Sequence, residues 1–223
     1  MKNIIIAIDG PAGSGKSSSA RVVAETLKYI YIDTGAMYRA VTLAWMREGT
    51  ELTEENVYKV LDKLKVGLKQ SSSGQRTFVN EEDVSDDIRL PEVTRLVSPV
   101  SAMELVRTKM VEQQREMGAN GGIVMDGRDI GTIVFPQAEL KVFLIASIEA
   151  RAERRGLELR NKGFEVDIEN LKTEISERDR YDSSREISPL RKAADALEID
   201  TSNLTIQEQT QIIINLAKQI IES

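Results

Sequence analysis

The chain has neither cysteine nor histidine among its 223 residues. Without cysteine there are no disulfides, no thiol nucleophile and no thiolate-held zinc, and without histidine there is no Ser-His triad. Any metal must therefore be a hard, oxygen-liganded ion. Any general base must be a carboxylate or a lysine, unless the attacking group arrives already ionised. Aromatic residues make up only 4% of the chain, too few to build stacking platforms for single-stranded nucleic acid. A formal charge of -6, from 30 basic and 36 acidic residues, argues against a surface that coats a polyanion, so nucleic acid is not an expected partner. Long apolar runs are missing too. Nothing approaches the roughly 18 residues of a membrane helix, and the run after Lys2 stops at Ile8, short of the roughly 7 to 15 residues of a signal-peptide core. No membrane partner, a cytoplasmic location and a monomeric state are the expectations.

What is present is a chain long enough for one α/β domain with insertions or two small domains, able to bury roughly 70% of its unfolded surface. The β-branched run Ile4-Ile5-Ile6-Ala7-Ile8 predicts a buried parallel strand, and residues from Ser17 to Lys28 predict a helix. Between them Gly10-Pro11-Ala12-Gly13-Ser14-Gly15-Lys16-Ser17 fits the phosphate-binding pattern G-x-x-x-x-G-K-[ST]. Backbone N–H groups of such a loop wrap a phosphate, Lys16 adds a point charge, the helix N-terminus adds partial positive charge, and the Ser17 hydroxyl can ligate Mg²⁺. A bound nucleoside triphosphate is the direct implication.

Further along, Tyr29 to Ile32 reads as a second strand, and Thr34 as the N-cap of a helix from about Ala36 to Glu48 that Gly49 closes. Thr53 opens another helix, with Val57, Val60, Leu61 and Leu64 at helical spacing. The period then falls to two at Val66, Leu68 and Phe78 around Ser71-Ser72-Ser73-Gly74, a hairpin signal. Ser98-Pro99 suggests an N-cap with Pro at the first helical position for a long helix ending near Gly118. Strands are predicted at Gly122 to Met125, Leu140 to Ala146 and Ala196 to Ile199. Helices are predicted at Ser147 to Arg160, Asp167 to Arg185 and Thr205 to Ile221, the last with a Thr205 and Glu208 capping box. The alternation implies an α/β fold with a mainly parallel five-stranded sheet flanked by helices, interrupted by an inserted unit at 35–105.

Asp126 ends an apolar strand, where an acid near a phosphate loop organises Mg²⁺ through water; alone, it equally reads as the start of a turn. On the helix from Asp167, the apolar stripe Ile168, Leu171, Ile175 continues as Arg178, Asp182 and Arg185. Charges on a packing face imply that the last turns overhang a polar cleft, with Asp182 orienting both arginines; a surface ion-pair ladder is the blander reading. Arg151, Arg154 and Arg155 share a face ahead of Arg160, Lys162 and Gly163, which suggests a movable phosphate clamp, although a solvated basic face has the same pattern. Ser72-Ser73-Gly74-Gln75 superficially matches a transporter-ATPase signature but sits at a hairpin tip.

The segments Ile8 to Ser17, Asp33-Thr-Gly-Ala-Met-Tyr-Arg39, Asp126-Gly-Arg-Asp-Ile-Gly-Thr132 and Glu177-Arg-Asp-Arg-Tyr-Asp-Ser-Ser-Arg185 together resemble the bacterial cytidylate (CMP) kinases, over nearly the whole chain. The resemblance implies a P-loop kinase core (1–34 and 106–223), an NMP-binding insertion (35–105), a short lid (148–166), and transfer of the γ-phosphoryl of ATP to CMP or dCMP with Mg²⁺. It implies that Gly10 to Ser17 with Arg151, Arg154 and Arg155 bind ATP, with Mg²⁺ at Ser17 and, through water, Asp126. It implies that Thr34, Arg39 and Arg128 take the acceptor phosphate and that Ser98, Arg107 and Arg185 read cytosine. Asp129 would then lie against the nucleotide and Arg178 and Asp182 would contact the ribose. Lys16, Arg128, Arg178 and Asp182 would carry catalysis. Two other readings stay open. A GTPase-like switch lacks its N-K-x-D, since Asn161-Lys162 is followed by Gly163-Phe164, and a P-loop kinase for UMP or shikimate would share the donor half of the site.

Overall fold

The computed structural model describes residues 2–71, 74–161 and 163–223. In chain order its elements are β1 (Ile5–Asp9), α1 (Lys16–Leu27), β2 (Ile30–Asp33), α2 (Thr34–Glu48), α3 (Glu54–Lys63), β3 (Val66–Ser71) and β4 (Gly74–Val79). There follow β5 (Glu82–Asp83), α4 (Pro91–Ala102), α5 (Glu104–Gly118), β6 (Ile123–Gly127), β7 (Leu140–Ile145), α6 (Ile148–Asn161), α7 (Ile168–Ser184), β8 (Leu197–Asp200) and α8 (Ile206–Glu222). Packing divides the chain into two units, one formed by residues 2–31 with 120–223 and the other by Ile32–Ala119.

The first unit is built on a parallel sheet of order β2-β6-β1-β7-β8. β1 is central because its side chains are apolar on both faces: Ile6, Ala7 and Ile8 are all fully buried. A strand with that pattern is stable only with helices above and below. Ile4, Ile6, Ile8, Val23, Val124, Leu140, Val142, Leu144 and Ile213 form the core beneath α1 and α8, each contributing about 1.5 to 3 kcal/mol of burial. In register, Ile8 pairs with Asp126 and Val142, and Asp9 with Gly127 and Phe143. Parallel strands in this register bring the ends of β1, β6 and β7 to one edge. Because the chain passes from β1 to β2 on one side of β1 and from β6 to β7 on the other, that edge is a topological switch point, where open α/β sheets bind ligands.

The second unit packs α2, α3, α4 and α5 around Met37, Val41, Val57, Ile88, Val93, Val100, Val106 and Met110. A small antiparallel sheet, β3-β4-β5, completes it. The hairpin pairs Ser71 with Gly74, as the period-two stretch predicts; Ser72, Ser73 and, in the first unit, Lys162 lie outside the described residues.

Two expectations are corrected here. Asp33, not Thr34, caps α2: its carboxylate accepts the Ala36 N–H at 2.9 Å, and Thr34 is already helical. A charged acceptor takes the orphan N–H before a hydroxyl one residue later can. Nor does Ser98-Pro99 start a helix. Pro91 takes the first position of α4, which continues through Pro99 to Ala102, and α5 begins separately after the extended Met103. Val93, Val97 and Val100 form a continuous buried face of α4. That packing outweighs the one backbone bond that Pro99 cannot make. α5 packs with the second unit, and the expected boundary at 105/106 falls inside it.

Candidate functional site

Three glycines shape the phosphate loop. Gly10, Gly13 and Gly15 have φ of 149°, 77° and 85°, conformations that a side chain strains. A Cβ on Gly10 would lie 2.2 Å from the Leu144 carbonyl, and one on Gly13 would press on Arg151 Cβ at 3.1 Å. The loop is thus held close to β7 and α6. Lys16, 7% exposed, donates from Nζ to the Pro11 carbonyl at 3.0 Å, so its amine lies within the loop's curve.

Ser17, at the second position of α1, donates from Oγ to Asp126 Oδ2 at 2.7 Å, and the Tyr31 hydroxyl donates to Asp126 Oδ1 at 2.8 Å. Asp126 is 2% exposed. A hydroxyl beside an oriented carboxylate is a hard-oxygen donor set that fits Mg²⁺. Among the described residues no cluster of three acidic side chains could enclose a metal alone. An ion held here would therefore take its other ligands from phosphate and water, as Mg²⁺ usually does.

At the same edge, Asp9 accepts the N–H groups of Ile130 and Gly131 at 2.8 and 2.7 Å. Burial pushes its carboxyl up to about 7; the two amides and Lys16 oppose that rise, and Asp129 adds to it.

α6 and α7 carry the arginines. Arg151 is buried, pairs through Nη1 with Asp179 Oδ2 at 2.6 Å and donates to the Ala12 carbonyl at 3.3 Å. Arg154 reaches the Gly13 carbonyl at 3.5 Å and the hydroxyl and carbonyl of Thr201. The Thr201 hydroxyl also lies 3.0 Å from the carbonyls of Ser14 and Ile145, joining the loop to β7. Arg155 does not join this group; it pairs with Glu158 at 3.0 Å on the outer face. The pattern that grouped three arginines on one face thus separates into two on the loop and one in solvent.

Asp182 is 4% exposed and lies among three arginines. Arg128 Nε donates to its Oδ2 at 3.1 Å, while Arg178 Nε and Arg185 Nη1 stand 4.0 Å from Oδ2 and Oδ1. The nearest cation is therefore one from the loop after β6, which helix spacing alone does not disclose. Three guanidinium groups converge on this one carboxylate, and the planar fork of arginine is suited to holding a phosphate or carboxylate.

In the second unit, Thr34 is buried at the start of α2, and Arg39 one turn later lies over Gly35, where a Cβ would come within 3.1 Å of its Nη1. Arg107 is buried on α5, donates to the Ser101 carbonyl at 3.2 Å and sits 5.1 Å from the centre of the Tyr38 ring. Ser98 is half-buried within α4, and its carbonyl accepts the Ser101 hydroxyl.

The family model for cytidylate kinase matches residues 6–219. A cytidylate kinase from Bacillus cereus is 52% identical over 220 residues, spanning 98% of both chains, and one from Bacillus anthracis is 53% identical over 96% of both. The chain belongs to the cytidylate kinase family. Among solved structures, an uncharacterized protein from Eubacterium ventriosum matches with a TM-score of 0.54 at 14% identity, over 98% of this chain and 99% of that one. A shikimate kinase from Acinetobacter baumannii matches with 0.50 at 16% identity, over 97% and 93%. At such identities these structures bear on the fold, which is that of P-loop kinases.

Membership of the cytidylate kinase family agrees with the motifs but does not by itself expose the supporting residues. The sequence reading assigns no individual role to Tyr31, Asp179, Thr201 or Gln209. Gln209 is fully buried on α8 and donates from Nε2 to the Gly15 carbonyl at 3.3 Å and to Ser19. Its only signal was a polar residue at a core position of an otherwise apolar stripe. For Thr201 the signal was a hydroxyl directly after a sheet strand, a position that faces the switch-point edge.

Proposed function

We propose that this chain transfers the γ-phosphoryl group of ATP to CMP or dCMP, giving ADP and CDP or dCDP. An oxygen of the acceptor phosphate attacks the γ-phosphorus in line, and the bond to the bridging oxygen of the leaving ADP breaks. One observation carries the reading: a phosphate loop with its Ser17–Asp126 pair and an arginine cluster around Asp182 occur together in a chain of this family.

Gly10 to Ser17 wrap the ATP phosphates with backbone N–H groups, and Lys16 swings from the Pro11 carbonyl to the outer phosphates. Arg151 and Arg154 brace the loop and close over the donor, while Arg155 stays paired with Glu158 on the outer face. Mg²⁺, held by Ser17 and through water by Asp126, would neutralise charge on the β- and γ-phosphate oxygens. Arg128, Asp129, Arg178, Asp182 and Arg185 bind the acceptor, and Asp182 keeps the guanidinium groups oriented while their positive charge faces the phosphate. Thr34, Arg39, Ser98 and Arg107 are assigned to the acceptor on the motif resemblance, the first two to its phosphate and the last two to its base.

The absence of histidine fits this chemistry. A nucleoside monophosphate has a second pKa of about 6, so its attacking oxygen is anionic at neutral pH and needs no base. The barrier is repulsion between two phosphates, which preorganised cations offset.

ADP release measured in parallel with CMP, dCMP, UMP, AMP, GMP and dTMP tests the assignment. CMP and dCMP should stimulate it most; no stimulation by any monophosphate would favour a nucleotide-dependent switch. Arg185→Met should impair CMP use far more than the slow background hydrolysis of ATP, and equal losses would count against an acceptor role.

A further inference from the structure

Asp9 stands at the carboxyl end of β1, one residue before the phosphate loop, and is 5% exposed. Its two carboxylate oxygens divide their work: Oδ1 takes the Ile130 N–H at 2.8 Å and Oδ2 the Gly131 N–H at 2.7 Å. Those amides open the π-type turn Ile130–Val134 that directly follows Arg128 and Asp129. Two charge-assisted bonds to successive amides fix the turn in rotation as well as position, which one bond could not. A Cβ on Gly131 would meet Asp9 Oδ2 in ordinary contact at 3.4 Å and crowd only Lys141 Cδ, at 3.2 Å. One side chain thus couples the start of the donor loop to the segment whose Arg128 reaches Asp182.

We propose that Asp9 is a positioning residue for phosphoryl transfer, which, through the Ile130 and Gly131 amides, holds Arg128 in register with the phosphate loop. The proposal rests on the reading of Arg128 as an acceptor-phosphate ligand. A residue serving only the fold would change stability and treat both substrates alike. A positioning residue acting through Arg128 must affect the acceptor selectively.

Asp9→Asn keeps the shape and one acceptor oxygen but turns an NH₂ toward the second amide. It should raise KM for CMP and lower kcat, with a combined loss of about tenfold or more, since small misplacements of reacting groups carry losses of that order. KM for ATP should change less than about twofold, because the glycine backbone of the loop is untouched. In a double-mutant cycle, Asp9→Asn added to Arg128→Ala should cost CMP turnover little beyond Arg128→Ala alone. Amide exchange at Ile130 and Gly131 should accelerate in Asp9→Asn. Gly131→Ala, whose methyl would crowd Lys141 Cδ at 3.2 Å and so disturb the turn that carries the Gly131 amide without altering β1, should show a smaller loss of the same acceptor-selective kind and keeps the test open if Asp9→Asn folds poorly. Equal effects on both substrates, additive losses in the cycle, or unchanged exchange would each overturn the proposal. If Arg128→Ala alone leaves CMP use intact, the assignment of Arg128 fails instead, and the two failures are distinguishable.

Discussion

Arg151 offers the sharpest quantitative test, because its guanidinium is buried against one counter-charge. Asp179→Ala would leave it facing the Ala12 carbonyl with no carboxylate at 2.6 Å. Breaking a fully buried ion pair from one side costs about 3 to 5 kcal/mol. Two features reduce that figure here. The Asp179 side chain is 23% exposed, so water partly replaces it. The pair also makes a single contact: Asp179 Oδ1 and Arg151 Nε are buried without a hydrogen-bond partner, so the stronger two-pronged geometry is not realised. About 2 to 3 kcal/mol is then expected, and at 2 to 4 °C per kcal/mol for a chain of this size the unfolding midpoint should fall by about 4 to 12 °C. Calorimetry is the appropriate assay, since it separates the transitions of a two-unit chain. Asp179→Asn, which keeps an acceptor oxygen, should lose about half as much. Because Arg151 touches the phosphate loop, KM for ATP should rise in Asp179→Ala while KM for CMP changes less. A midpoint within about 1 °C of wild type, with unchanged KM for ATP, would refute the reasoning and place the pair among the many ion pairs that contribute nothing measurable.

Two other outcomes follow from particular contacts. Gly49→Ala and Gly10→Ala both put a methyl on a positive-φ residue, but nothing lies within 4 Å of the first and the Leu144 carbonyl lies 2.2 Å from the second. Gly49→Ala should cost about 1 kcal/mol of unfolding free energy, measured by urea denaturation; Gly10→Ala should cost several-fold more and abolish binding of a fluorescent ATP analogue, and similar losses would contradict the close packing of loop on β7. Burial holds the Asp9 carboxyl at about 7 against an ordinary 3.8, so between those values the folded chain keeps a proton that the unfolded chain releases. Its contribution therefore falls as pH rises from about 4 to about 7 and is flat above. Urea midpoints of wild type should decline across that window relative to Asp9→Asn, and parallel curves would show that the carboxyl titrates normally.

The strand, loop and helix of the phosphate site are legible in the amino-acid sequence, because they lie in one consecutive stretch, Ile5 to Leu27, and depend on local conformation: glycines for positive φ, a β-branched run, a helix start. The sequence also determined the α/β layering through hydrophobic period, the capping box at Thr205 and Glu208, and the exclusion of imidazole and thiol chemistry. Tertiary packing, in contrast, sets the pairings between residues distant in the chain: Ser17 with Asp126, Arg128 with Asp182, Arg151 with Asp179, Asp9 with the Ile130–Gly131 amides. Helical spacing showed that Arg178, Asp182 and Arg185 share a face but not that Arg128 supplies the closest contact, since that contact crosses from a sheet edge to a helix. The course of α4 through Pro99 was likewise set by burial of valines against the rest of its unit, a force that no local rule about proline contains. Local conformational preference writes itself into consecutive residues; parallel strand register and helix packing bring remote carboxylates and arginines together, and they act only once the sheet has formed.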